Sequence, residues 1–175
     1  PRRGETFITR KITMGLSAID YGIEDCLYVG NLDAKRDWGH AEDYVALQWK
    51  MLQKKTPEDY VIATGRQESV RRFIELSAIE LGWGGINWEG KKLEEVGRRK
   101  DNNKIVIRID KRYFRPSEVD SLLGDSTKAK KKLGWQNSKS LEQLISEMIE
   151  SDRKIASKKS LLIKHGYTIN KINND

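Results

Sequence analysis

The side chains of this sequence best suited to chemistry are cations placed beside short apolar runs. Arg2 and Arg3 precede the first helical pattern, Lys35 and Arg36 follow the run Cys26-Leu27-Tyr28-Val29-Gly30, and Arg115 stands three residues before Glu118, after the run Ile105-Val106-Ile107-Arg108-Ile109. A guanidinium offers fixed donors that grip phosphate in bidentate fashion, and open α/β sheets bind ligands at strand ends. A nucleoside diphosphate is the partner this chemistry fits. Spacing alone equally allows these arginines to be paired with Asp37, Glu118 and other surface acids.

Other chemistry is thinly provided. His40 and His165 lie far apart, with no cysteine or carboxylate at ligand spacing, which argues against zinc. His40 is expected to hold structure through hydrogen bonds, and His165 to have no specific role. The single cysteine, Cys26, excludes an internal disulfide or a cysteine-cluster metal site and reads as a small buried hydrophobe. No glycine-rich phosphate loop follows a strand and opens a helix. Lys128, Lys130, Lys131 and Lys132 would permit nucleic-acid contact, but they fall on one short helix with no interleaved aromatics. They read as a solvated face, and no nucleic-acid partner is expected.

These residues must be positioned by an alternating set of elements. Phe7, Ile8, Ile12, Leu16 and Ile19 recur at three- and four-residue spacing and predict a helix over 6–21, ended by Gly22. A strand is predicted at 26–30, then a polar loop at 31–37, then a helix from Trp38 with Tyr44, Val45, Trp49 and Leu52 on one face. The run 60–63 predicts another strand, and Ser69 caps a helix carrying Val70, Phe73, Ile74, Ala78 and Leu81. Strand then helix, twice, indicates an α/β class. Gly82-Trp83-Gly84-Gly85 is a break, 86–89 and 105–109 are strands, and the charged stretch 91–104 reads as a mobile excursion. Pro116 pushes Arg115 toward extended geometry. A short basic helix over 126–133 closes on Gly134, and Ser140 with Gln143 makes a capping box. That box opens the longest amphipathic helix, expected to run to about Ala156, with a peripheral tail from Lys158.

The chain has 175 residues, with 33 Lys+Arg against 26 Asp+Glu for a formal net charge of +7, and 37% of it is hydrophobic. Such a balance fits one soluble domain rather than a disordered polyelectrolyte. No apolar stretch approaches the roughly 20 residues of a membrane span, so a cytoplasmic location without membrane contact is expected. The sequence opens at Pro1-Arg2-Arg3-Gly4 and its first methionine is Met14, so it is expected to be part of something longer.

Six segments carry a resemblance. They are Pro1-Arg-Arg-Gly-Glu-Thr-Phe, Thr9-Arg-Lys-Ile-Thr13, Gly30-Asn-Leu-Asp-Ala-Lys-Arg-Asp-Trp-Gly-His-Ala41, Pro57-Glu-Asp-Tyr-Val-Ile-Ala-Thr-Gly65, Arg112-Tyr-Phe-Arg-Pro-Ser-Glu-Val-Asp120 and Gly124-Asp-Ser-Thr-Lys-Ala-Lys130. In this order they resemble the C-terminal part of the GDP-mannose 4,6-dehydratases, members of the extended short-chain dehydrogenase/reductase family, from Pro1 to about Tyr167. The resemblance implies an α/β fold in which 1–167 combine the last Rossmann strands and helices of a cofactor domain with the smaller nucleotide-sugar-binding domain, leaving 168–175 as a tail. It implies a lyase of nucleotide-sugar metabolism that converts GDP-mannose to GDP-4-keto-6-deoxymannose with NADP.

The family's glycine-rich fingerprint, catalytic Thr/Glu pair and Tyr-x-x-x-Lys lie upstream of the position of Pro1. The chain is therefore expected to lack catalytic residues, to be inactive alone, and to act with the N-terminal half of the same enzyme in a homodimer or homotetramer. A split or vestigial GDP-sugar-binding module is the alternative. As the resemblance implies, Arg3 contacts NADP, and Lys11 lies near the substrate diphosphate and sugar. Asn31 and Leu32 meet guanine and ribose, Arg36 holds the diphosphate, Arg115 takes phosphate and Glu118 takes ribose hydroxyls. Trp38 and His40 are expected to pack and fix the loop. No catalytic or metal-ligating residue is expected.

Overall fold

Helix α1 (Ile8–Asp20) forms where the apolar spacing requires, with Ile12 and Leu16 fully buried, and the chain leaves it through Gly22 at φ 67°. The computed structural model describes residues 1–114 and 121–168. Strand β1 (Leu27–Val29) pairs in parallel with β6 (Ile105–Ile109), setting Leu27 opposite Ile107 and Val29 opposite Ile109. Strand β5 (Val96–Arg99) runs antiparallel to both β6 and β4 (Ile86–Glu89), giving the order β1-β6-β5-β4. Helices α3 (Val70–Glu80) and α5 (Leu141–Lys164) join α1 over one core in which Phe73, Ile74, Trp83, Val106, Ile107, Ile145 and Ile149 are buried. The α/β class is therefore as expected, with a mixed sheet.

A smaller core lies to one side. Leu47 of α2 (Ala41–Leu52), Ala129 of α4 (Thr127–Leu133) and Trp135 are buried there, with Tyr44, Met51, Tyr60 and Ile62 packed against them. Gly134, at φ 59°, takes the left-handed position that ends α4.

Five expectations need correction. The loop 31–37 contains a short strand, β2 (Lys35–Arg36), paired antiparallel with β3 (Glu68–Ser69). The stretch 91–104 is not an excursion: it holds β5, whose two arginines are paired. Arg98 Nε meets Glu89 Oε2 at 2.8 Å, and Arg99 lies 4.0 Å from the Trp83 ring centroid while binding Asp101. Of the apolar face expected on α2, Tyr44 packs inward but Val45, Trp49 and Leu52 are exposed, since the helix buries Leu47 and packs through Tyr44 and Met51. The run 60–63 has no ladder partner among the described residues, although Tyr60 and Ile62 pack inward.

Helix α5 also outruns its expected end at Ala156 by two turns. The buried residue there is polar, the Ser160 hydroxyl donating to the Tyr21 carbonyl at 3.1 Å, which apolar periodicity cannot register. The capping box is formed: Ser140 Oγ accepts from Gln143 N at 3.2 Å, and Gln143 Oε1 accepts from Ser140 N at 2.8 Å. Ser140→Ala is expected to lower stability by about 1 kcal/mol, measured as a shifted urea midpoint with unchanged slope. Of the expected tail 168–175, only Thr168 lies within the described residues.

Candidate functional site

The N-terminal turn of α1, the end of β1 and the 3₁₀ turn Lys111–Tyr113 converge on a cleft of about 610 Å³. Its wall includes Arg3, Lys11, Asn31, Arg36, Arg112 and Tyr113. Four of the expected site residues, Arg3, Lys11, Asn31 and Arg36, are thus brought together. Leu32 is not among the lining side chains: it is buried in the main core, and its carbonyl accepts from Arg71 N at 2.8 Å. Only its backbone is left to serve a ligand. Arg115 and Glu118 lie outside the described residues.

Each cation is held differently. The Arg3 guanidinium lies 4.4 Å from the centroid of the half-exposed Phe7 ring. The Lys11 ammonium sits 3.2 Å from the centroid of Tyr113. Burial lowers the Lys11 pKa from 10.5 to about 8, with nearby Arg112 pushing the same way and Asp110 opposing. Arg36 Nη1 donates to the Lys35 carbonyl at 2.8 Å, and Arg112 Nη2 pairs with Asp110 Oδ2 at 2.9 Å. Asn31 Oδ1 accepts from Asp33 N at 3.0 Å, which folds the loop after β1 and leaves its side-chain amide to donate. Cys26 lines the deeper wall with a thiol raised by burial to about 11, and so is poorly reactive.

The run from Arg36 to Tyr44 fixes the cleft's outer rim. Asp37 accepts from Thr64 N, Thr64 Oγ1 and Gly65 N at 3.0, 2.6 and 2.9 Å. Trp38 meets Phe73 edge-on at 5.0 Å between ring centroids. His40 Nδ1 accepts from Glu42 N at the start of α2 and its Nε2 lies 3.1 Å from Glu147 Oε2 of α5, so Trp38 and His40 have the packing and loop-fixing roles expected of them. Asp43 receives Ser138 N and Oγ. Sequence reading missed Phe7, Arg112 and Tyr113 as cleft residues, since only the folded chain carries the 111–113 turn to α1.

Among the described residues no group of three or more His, Cys, Asp or Glu could hold a metal, and no helix is long and apolar enough to cross a membrane. The spacing Tyr-x-x-x-Lys, expected to be missing, does occur at Tyr167 and Lys171. Tyr167 stands beyond the end of α5 and is not a cleft residue, and Lys171 lies outside the described residues.

Solved structures share this fold. The structure of RMD from Pseudomonas aeruginosa complexed with NADPH aligns at TM-score 0.70 and 16% identity, covering 89% of this chain and 45% of that one. The dTDP-glucose 4,6-dehydratase of Bacillus anthracis in complex with NAD aligns at 0.62 and 17%, covering 91% and 42%. These likenesses define an α/β fold shared with a nucleotide-sugar dehydratase and epimerases. The family model for GDP-mannose 4,6 dehydratase matches residues 1–148, and the chain belongs to that family. GDP-mannose 4,6-dehydratase of Vibrio cholerae is 52% identical over 179 residues, 97% of this chain, and the human enzyme is 51% identical over 152 residues, 87% of it. The chain spans 48% of the Vibrio relative and 41% of the human one, about half their length.

Proposed function

We propose that this chain provides the GDP-sugar grip of a cytoplasmic GDP-mannose 4,6-dehydratase, which converts GDP-mannose to GDP-4-keto-6-deoxymannose. The observation that carries this reading is the single cleft collecting Arg3, Lys11, Asn31 and Arg36. Lys11 and Arg36 would meet the diphosphate, the Asn31 amide and the Leu32 backbone the guanine and ribose, Arg115 phosphate, and Glu118 the vicinal hydroxyls. We assign residues 1–167 to this substrate region with the adjoining part of the cofactor domain.

NADP is the cofactor this reading implies, and the residues present fit it in part. Arg3 at the rim offers a cation for a phosphate, while the chain has no glycine-rich loop to cradle a dinucleotide. When bound, the nicotinamide supplies the hydride acceptor and donor for oxidation at C4 and reduction at C6 of the sugar. What this chain's residues do is hold the nucleotide end still. The run 60–63, without a ladder partner among the described residues, and the outward face of Val45, Trp49 and Leu52 support completion by an N-terminal half, with no turnover by this chain alone.

Calorimetric titration with GDP tests the reading. The Arg36→Ala, Arg115→Ala double variant is expected to bind about 30-fold more weakly. Equal affinity of wild type and double variant, with both folded by circular dichroism, would exclude this site.

The pH dependence follows from Lys11. Its ammonium is charged below about pH 8 in the free protein, and an anionic ligand raises its pKa. Affinity for GDP is therefore expected to fall as pH rises through 8, by up to tenfold per unit; a Lys11→Gln variant should lose that slope. On stability the same group acts oppositely. Between pH 8 and 10.5 the unfolded amine keeps a proton the folded one has lost, so this group raises stability as pH rises.

A further inference from the structure

Helix α1 has two working faces. Ile8, Lys11, Met14, Gly15 and Ala18 line the cleft. Thr9, Arg10, Thr13 and Ser17 are buried on another side, a polar stripe at helical spacing. Across from that stripe α5 places Asp152, with Arg10 5% and Asp152 2% exposed. Arg10 Nη1 and Asp152 Oδ1 stand 2.7 Å apart but off the hydrogen-bond direction, and Arg10 Nε, Thr9 Oγ1 and Ser17 Oγ have no hydrogen-bond partner among the described residues. Burial pushes the Asp152 carboxyl up, against the pull of Thr13 and Arg10.

A buried pair of this kind is poor stabilisation, because desolvating two charges offsets their attraction, and its best-attested use is to fix register. Here it joins one charge on each helix. Sliding α1 by a turn, about 5.4 Å, would leave both charges buried and alone. We propose that Asp152, acting through Arg10, is a positioning residue for the cleft: the pair locks α1 on α5 and so holds the next residue, Lys11, against Tyr113. Asp152 lies beyond residue 148, where the family match ends. Only the ligand-affinity part of this proposal rests on the proposed function.

The test uses the 175-residue chain with its lysines reductively ¹³C-dimethylated, followed by NMR across pH. Lys11 is assigned by the signal lost in Lys11→Arg, and in wild type it is expected to titrate near 8. In Asp152→Asn its titration is expected to move up by at least one pH unit, to return in Asp152→Glu, and GDP affinity to fall at least tenfold. Lys11 still titrating near 8 in a cooperatively melting Asp152→Asn overturns the proposal, because a pair that only stabilises would lower the melting temperature and leave Lys11 alone. If Asp152→Asn does not fold, the apolar pair Arg10→Met, Asp152→Leu keeps the packing without the charges. Lys11 must shift there too, and an unshifted Lys11 overturns the proposal. A shift seen in a protein whose wild type does not bind GDP upholds the positioning role and refutes the ligand.

Discussion

Gly30→Ala is expected to cost about 3 kcal/mol of stability and to unseat the floor of the cleft. A Cβ at this position would stand 2.1 Å from the Tyr113 carbonyl oxygen and 2.7 Å from its carbonyl carbon. Both are backbone atoms, so no side chain can swing aside. The turn Lys111–Tyr113 is itself tied to β1, because Asp110 N donates to the Val29 carbonyl at 2.9 Å. Either β1 or the turn must retreat, and with the turn goes the Tyr113 ring on which Lys11 rests. A urea midpoint moved to lower concentration, together with a Lys11 titration returned toward 10.5, is the expected result. Unchanged values of both would show that the close approach is not rigid.

Asp37→Ala is expected to cost a similar amount, about 3 kcal/mol, since hydrogen bonds to a charged group contribute about 1.5–3 kcal/mol each and are not additive. Its carboxylate receives three donors from Thr64 and Gly65. Those contacts are what fasten the end of the run 60–63 to the rim that carries Arg36. Asp37→Asn, which keeps one acceptor oxygen, should lose about half as much. Limited proteolysis is the sensitive measurement: cleavage near Arg66 should quicken in Asp37→Ala. Equal cleavage rates and an equal urea midpoint would place the fastening elsewhere.

Local signals were read well wherever one residue type settles the geometry. Ser69 caps α3, the Ser140 box opens α5, and Gly134 closes α4. Reading failed where two physical requirements share one pattern. On α2, Val45, Trp49 and Leu52 satisfy helical spacing as well as Tyr44, Leu47 and Met51 do, and only the presence of Trp135 and Ala129 selects the second set. On β5, Arg98 and Arg99 look like solvent residues until Glu89, Asp101 and Trp83 are brought alongside. In the cleft, Arg3 and Arg36 were legible as cations beside apolar runs, and Lys11 only through the family resemblance. Tyr113 was not, because its part depends on a contact with α1 that no spacing along the chain encodes.

The outward face of α2 also gives the molecule a built-in reporter. Of the five tryptophans, Trp83 and Trp135 are buried and Trp38 and Trp88 are half-buried, while Trp49 is 63% exposed. Collisional quenching by iodide should therefore act most strongly on Trp49, whose emission maximum reads the polarity above that helix. Whatever comes to lie on α2, a second copy or a longer relative's remaining half, would announce itself as a blue shift and a lost quenching component, without any label.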